Sequence, residues 1–386
     1  MNGGDPPFAQ RIAQVSESHT TRIFTRAQQM RARGRDIISL AVGEPDFDTP
    51  APILHATARA LADGRTRYGP VAGEPGLRER LAAGFEGFSA DRILVTNGAK
   101  QALFSLFQVL CDSGDEVILP RPCWVSFTEQ IQLAGARPVL VDTDAGFQLD
   151  PDRIAKAVTP RTRAILINSP NNPTGAVYGA DALAAVAAIA AEQRVWLIAD
   201  EAYHVFTYGD RPHVPVLGLS PAPDGVITVR SFSKQFNMTG FRIGYVAAAP
   251  SVIQALTRLQ SHTTGNVCTF AQYGALAALE MDPALIDRRR VALRRRRDLA
   301  LGLARALFTC AGAQGAFYIF ADVSAHLRAG QSSADLALRL LDAAGVAVVP
   351  GEAFHGPGHI RISYGCDSAT LGRAFARIKE GIKEGL

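Results

Sequence analysis

Lysine is scarce in this chain. Of its 40 lysines and arginines only Lys100, Lys156, Lys234, Lys379 and Lys383 are lysine. Arginine does not serve as a carbonyl nucleophile, so any amine chemistry falls on those five. Cysteine is also sparse: Cys111, Cys123, Cys268, Cys310 and Cys366 are odd in number and lack CxxC spacing. That excludes a disulfide framework, makes a bound metal unexpected, and fits a reduced, cytoplasmic compartment. No apolar run approaches the roughly 20 residues that cross a bilayer, and Met1 to Pro7 carries neither the charged start nor the apolar core of a signal peptide. No membrane association is expected.

Two nucleotide signatures are missing as well. No GxGxxG follows a strand-like run and no GxxxxGK[ST] occurs, which excludes the usual dinucleotide and nucleotide-hydrolase sites. The net charge of +4 and pI of about 8.9 are too mild to imply a nucleic-acid partner. The basic run Arg288 to Arg290 and Arg294 to Arg297 is interleaved with Val291, Leu293, Leu299 and Leu303, and reads as the solvated face of a long helix. The stretch before Gly43 is too short for a winged helix, which argues against a DNA-binding regulator.

What is present is a repeated grammar of short apolar runs, each closed by Gly, Pro, Asn or Asp and followed by a helical stretch. This predicts an α/β protein with a mostly parallel sheet. The candidate strands are Ile93 to Thr96, Glu116 to Leu119, Pro138 to Val141, Ala164 to Asn168, Val195 to Ala199, Val226 to Val229 and Ile243 to Ala247. Helices are predicted over Gln101 to Leu110 and Ala182 to Ala191. A chain of 386 residues, 47% hydrophobic, suggests two cores. Prolines near Thr49 to Pro52 and Met281 to Pro283 divide it into a large domain, 50–281, and a smaller one from 1–49 plus 282–386.

The unusual polar residues cluster just past the strand ends, where open α/β sheets bind ligands. Gly98, Ala99 and Lys100 follow the first strand and open a helix, so their N–H groups suit an anion such as phosphate. Trp124 follows the second strand and offers a flat ring. Asn168 to Gly175 is dense in turn residues and contains Asn172. Asp200 and Tyr203 follow the fifth strand, delivering a carboxylate into a dry setting where it wants a cationic partner. Ser231, Ser233 and Lys234 follow the sixth, with Arg242 eight residues beyond.

Taken singly, each cluster has a bland explanation in packing, capping or turn formation. Together they match one ligand class, pyridoxal phosphate: its aldehyde needs a lysine, its ring nitrogen an acid and its phosphate a cradle. Lys234 would form the Schiff base and then carry the proton as general base and acid. Asp200 would keep the ring nitrogen protonated, and Tyr203 and Asn172 would bond the ring hydroxyl.

These motifs resemble those of the class I/II aminotransferases of fold type I, in particular the bacterial aspartate aminotransferase branch. The resemblance runs from Gly43-Glu44-Pro45-Asp46-Phe47-Asp48-Thr49-Pro50 through Tyr68 to Gly73, Asn97 to Leu103, Asn168 to Gly175, Asp200 to Tyr203 and Ser231 to Gly244, to Arg361-Ile362-Ser363-Tyr364. It implies a seven-stranded sheet in the large domain and a smaller α+β domain built from both termini. It also implies that Ser231, Ser233, Arg242 and the Gly98–Lys100 amides hold the phosphate, that Trp124 stacks on the ring, and that Gly43 and Arg361 bind the substrate α-carboxylate. Tyr68 would reach a neighbouring subunit's phosphate, which implies a homodimer. The implied reaction moves an amino group from an L-amino acid to a 2-oxo acid in two ping-pong half-reactions.

For the side chain of the substrate, Lys100 with Ser18 and Thr20 favours a dicarboxylic amino acid. His19 and Cys123 stand where the family more often has a small residue and a tyrosine, which would alter the pocket. Alanine-type, aromatic or guanidino amino acids, or a lyase or oxidase reaction on the same cofactor, remain alternatives at this point.

Overall fold

A computed structural model describes residues 8–13, 15, 19–209 and 211–384 of the chain. Ser18 lies outside these residues, and the side chains of His19 and Thr20 are likewise not described, so the dicarboxylate contact expected from Ser18 and Thr20 rests on the sequence alone.

Seven strands form the main sheet: β1 (Ile93–Thr96), β2 (Glu116–Arg121), β3 (Arg137–Asp142), β4 (Thr162–Asn168), β5 (Trp196–Asp200), β6 (Val226–Ser231) and β7 (Gly244–Ala247). Their spatial order is β1-β7-β6-β5-β4-β2-β3. The fold is therefore the expected α/β one, with a mostly parallel seven-stranded sheet. All neighbours pair in parallel except β7, which runs antiparallel to both β1 and β6. The central strands are buried on both faces, which is why Ile165, Leu166 and Ile167 or Leu197, Ile198 and Ala199 read as continuous apolar runs rather than alternating ones.

Several strands extend beyond their predicted ends, because ladder pairing carries the backbone past the apolar run. Asp200 is the last residue of β5, paired with Asn168 on one side and Val229 on the other. Ser231 likewise closes β6 and pairs with Gly244. The helix predicted from Gln101 begins at Gly98 and runs to Leu110, burying Ala102, Leu103, Leu106 and Phe107 against the sheet.

A second core joins both ends of the chain. Ile23, Ala27 and Ile37 to Ala41 pack with Leu293, Ala300, Phe317 to Ala321, Leu336, Ile362 and Phe375. Its four-stranded antiparallel sheet runs Val349–Pro350, His359–Ser363, Tyr318–Asp322, Thr309–Cys310, and a short parallel pair joins Ile38–Ser39 to Val346–Ala347.

The long basic helix, Ala284–Arg305, departs from its predicted burial pattern. Val291 and Leu299 are exposed, and the buried stripe is Arg289, Leu293, Ala300 and Ala304. Arg289 is only 7% exposed and donates to the carbonyls of Gln235 and Asp48 at 3.1 and 2.6 Å. The run is thus not wholly a solvated face: Arg288, Arg290, Arg294 and Arg295 face solvent, while Arg289 ties the helix to the segment leading from Gly43.

Candidate active site

The polar strand ends and the second core meet around one cavity of about 450 Å³, a size suited to a small cofactor and substrate. Of the residues singled out from sequence, Gly43, Ala99, Lys100, Trp124, Asn172, Asp200, Tyr203, Ser231, Ser233, Lys234, Arg242 and Arg361 all line it. Gly98 stands just behind: a Cβ there would come within 2.6 Å of Nη2 of Arg242, and its φ of +78° is one that side chains rarely adopt. Tyr68 is elsewhere, 98% exposed in a shallow groove with Arg65, Arg67 and Cys268.

The floor of the cavity is an anion cradle. Ala99 and Lys100 lie in the first turn of the Gly98–Leu110 helix, where N–H groups have no partner within the helix. Ser231 caps the short helix Phe232–Gln235 by accepting from the Ser233 N–H at 3.1 Å. That turn projects Lys234 into the cavity. Arg242, in the left-handed region at φ 55°, is fixed by donating to the Thr239 carbonyl at 2.8 Å.

Burial tunes the titrating groups. The Lys234 amine is lowered to about 8, chiefly by burial, with Arg242, Arg361 and Lys100 lowering it further and Glu44 opposing. The Asp200 carboxyl is pushed up to about 7 by burial, against the N–H of Ala202 that it accepts and with the charge of Glu201 adding. Burial, with Tyr318 beside it, raises Tyr203 well above the usual phenol range. Lys100 is lowered by burial and by Arg242, and its Nζ lies 4.9 Å from the Trp124 ring centroid.

Arg361 would pass for a surface residue in an unaided reading of the sequence. The structure corrects that: it is 4% exposed. It donates to Asn172 Oδ1 at 2.9 Å and to the Ala41 carbonyl at 2.8 Å, and its Nε, buried, has no partner. Its guanidinium lies 4.5 and 4.9 Å from the ring centroids of Tyr318 and Phe354. Among the described residues no carboxylate pairs with it, nor with Lys100 or Arg242.

Sequence reading missed Tyr318, Phe354 and Ser126, which also line the cavity. Tyr318 sits in Phe317-Tyr318-Ile319-Phe320, whose composition signals only a buried strand. Behind Asp200 it also missed a buried pair, in which Arg230 donates to Glu201 Oε2 at 2.8 Å while His213 Nε2 lies 3.4 Å from the same oxygen.

A family model described as aminotransferase class I and II matches residues 35–378. The chain belongs to this family. A probable aspartate/prephenate aminotransferase of Aquifex aeolicus is 42% identical, covering 98% of this chain and 99% of that protein. The aspartate aminotransferase of Geobacillus stearothermophilus is 40% identical, covering 96% and 98%. Among solved structures, Thermus thermophilus aspartate aminotransferase with maleate superposes with a TM-score of 0.93 at 41% identity, covering 97% of this chain and all of that one. The protein is a pyridoxal-phosphate-dependent aminotransferase acting on amino acids and 2-oxo acids. The cavity fits that cofactor: it joins a buried amine, a buried acid and a cradle of amides, hydroxyls and one guanidinium. Among the described residues no helix is long and apolar enough to cross a membrane.

Proposed function

We propose that the chain transfers the amino group of a dicarboxylic L-amino acid, of the aspartate or glutamate type, to a 2-oxo acid by a ping-pong mechanism. The observation that carries this is the surplus of positive charge around the cavity. Among the described residues, Lys100, Lys234, Arg242 and Arg361 line it with Asp200 as the one lining carboxylate, and Glu44 lies near enough to act on Lys234. In the roles proposed here, Arg242 meets the cofactor phosphate, Arg361 the substrate α-carboxylate, and Lys234 the cofactor aldehyde. Lys100 is then left for a second carboxylate. The printed names of the relatives, aspartate and aspartate/prephenate aminotransferases, agree with that choice.

When bound, pyridoxal phosphate supplies the electron sink for charge left at the substrate α-carbon. The chain's own groups do the rest. The Ala99 and Lys100 amides, Ser231, Ser233 and Arg242 hold the phosphate, with Gly98 leaving Arg242 its room. Trp124 would offer its face to the ring. Asp200, buried and short of a cation, would hold a proton on the ring nitrogen, and Tyr203 and Asn172 would bond the ring hydroxyl. Lys234, its amine lowered to about 8, would serve as the base and acid for the proton at the substrate α-carbon. Arg361 and the Gly43 backbone orient the α-carboxylate.

The proposed domains are 50–281 and 1–49 plus 282–386; the cluster of Ile23, Leu40, Leu293, Phe317 and Ile362, which joins both ends of the chain, supports the second of them. The protein works in the cytoplasm as a homodimer in which Tyr68 reaches the partner's phosphate. The near-complete exposure of Tyr68, with Leu54 and Leu61 exposed seven residues apart on the helix Ala51–Ala62, supports a covered surface there.

A half-reaction screen tests the substrate. L-Aspartate, L-glutamate, L-alanine, L-phenylalanine and L-arginine are each added to holoenzyme while the visible absorbance of the cofactor is followed. The two dicarboxylic amino acids are expected to react fastest, and Lys100→Met to cut their advantage about tenfold, the worth of one charge-assisted contact. Equal rates for alanine or phenylalanine would overturn the dicarboxylic assignment.

A further inference from the structure

Tyr203 and Tyr318 form a buried pair of phenols. Their hydroxyls lie 3.1 Å apart and the residues are 7% and 1% exposed. Each hydroxyl has one proton to give, and within the described residues neither has another hydrogen-bond partner. Both residues line the cavity, but Tyr318 is the more deeply buried, at 1% exposed against 7% for Tyr203. Donation from Tyr318 to Tyr203 satisfies the proton that is harder to reach and leaves the Tyr203 proton, on the more open phenol, for a ligand in the cavity. Both groups stay protonated across the working range, since burial raises both phenols.

Tyr318 is held on its other sides as well. It opens the strand Tyr318–Asp322 opposite Ser363, which makes Arg361 its diagonal cross-strand neighbour. The Arg361 guanidinium lies 4.5 Å from its ring centroid, an attraction strengthened by the burial of both side chains. At the hydroxyl end, a Cβ on residue 43 would approach to 3.0 Å, so Gly43 lets the segment pass. One side chain thus touches the phenol proposed to meet the cofactor and the guanidinium proposed to meet the substrate.

We propose that Tyr318 is a positioning residue for the transamination: its hydroxyl donates to Tyr203 and turns the Tyr203 proton toward the cofactor's ring oxygen, while its ring face seats Arg361. This rests on the Tyr203 role proposed above. The charged and titrating groups facing the pair are Arg361, Asp200 and Glu44, and Arg242 and Lys100 act on Lys234 nearby.

The test is the pH titration of the visible absorbance of holoenzyme. A ring oxygen that accepts a weaker hydrogen bond becomes more basic and favours retention of the proton on the adjacent Lys234 nitrogen, so the midpoint moves up. Tyr203→Phe is expected to raise it by about one unit, and Tyr318→Phe by about half a unit in the same direction. The double variant should match Tyr203→Phe alone, because Tyr318 acts through Tyr203. In steady state, Tyr318→Phe keeps the ring under Arg361 and should leave the KM for the 2-oxo acid within about twofold, whereas Tyr318→Leu should raise it about tenfold. A midpoint that moves in Tyr203→Phe but not in Tyr318→Phe overturns this inference and leaves the role of Tyr203 standing. Midpoints unmoved in both overturn the two together.

Discussion

Arg361 donates from Nη1 to Asn172 Oδ1 at 2.9 Å, joining residues 189 positions apart in sequence. The bond ties the antiparallel sheet of the second core to the turn after β4. Its second bond, to the Ala41 carbonyl, brings in the N-terminal segment that carries Gly43. Three stretches of chain therefore fix one guanidinium, and the unpartnered buried Nε shows that its donor capacity is not exhausted. A planar fork held this way is suited to a bidentate carboxylate.

Arg361→Lys should accordingly lower kcat/KM for the 2-oxo acid by about 10- to 100-fold, the worth of a charge-assisted hydrogen bond lost from the fork. Cofactor affinity should be unchanged. Steady-state kinetics beside a cofactor titration check this, and a loss of cofactor affinity with KM intact would contradict the assignment.

Lys234 gives a pH prediction. Its neutral amine is the nucleophile, and burial lowers its proton affinity from the ordinary lysine value to about 8. Covalent capture of pyridoxal phosphate by apoenzyme should then speed up as pH rises and level off just above 8, about two units below an ordinary lysine. Borohydride trapping followed by peptide mapping should place the label on Lys234, and Lys234→Ala should take no label and lose several orders of magnitude in turnover. Label on another lysine would refute the role.

Glu201 and Arg230 form an ion pair of side chains 2% and 13% exposed. Glu201→Ala would leave the Arg230 charge buried with its carboxylate gone, at a cost of about 3 kcal/mol to the apoenzyme, measurable by urea unfolding. The same change removes a negative neighbour of Asp200 and so should lower the Asp200 carboxyl from its position near 7. An unchanged unfolding midpoint would show the pair to be structurally idle.

The sheet was legible in the sequence because its central strands are buried on both faces and so appear as local apolar runs whatever their neighbours, while the half-buried edge strand β3 still shows the short run Val139 to Val141. The strand-end chemistry was legible for a related reason: Asp200, Ser231, Ser233 and Lys234 interrupt those runs directly, and the backbone continuing from each strand carries them to one edge. The antiparallel direction of β7 was not legible, since a buried parallel and a buried antiparallel strand have the same composition.

What the sequence by itself determined, then, is local: an α/β sheet, a lone lysine among hydroxyls past a strand, and an acid delivered into a dry place. Tertiary structure alone decided how distant side chains are buried around the site: the family resemblance names Arg361 but not its burial, and nothing in the sequence names Tyr318. Arg361 is buried because strands from the far end of the chain fold over the cavity, and Tyr318 becomes a partner of Tyr203 across 115 residues. Arg289 likewise turns from a solvated face to a tether. The burial of a charge or a phenol is set by what packs on it, and no local pattern carries that information.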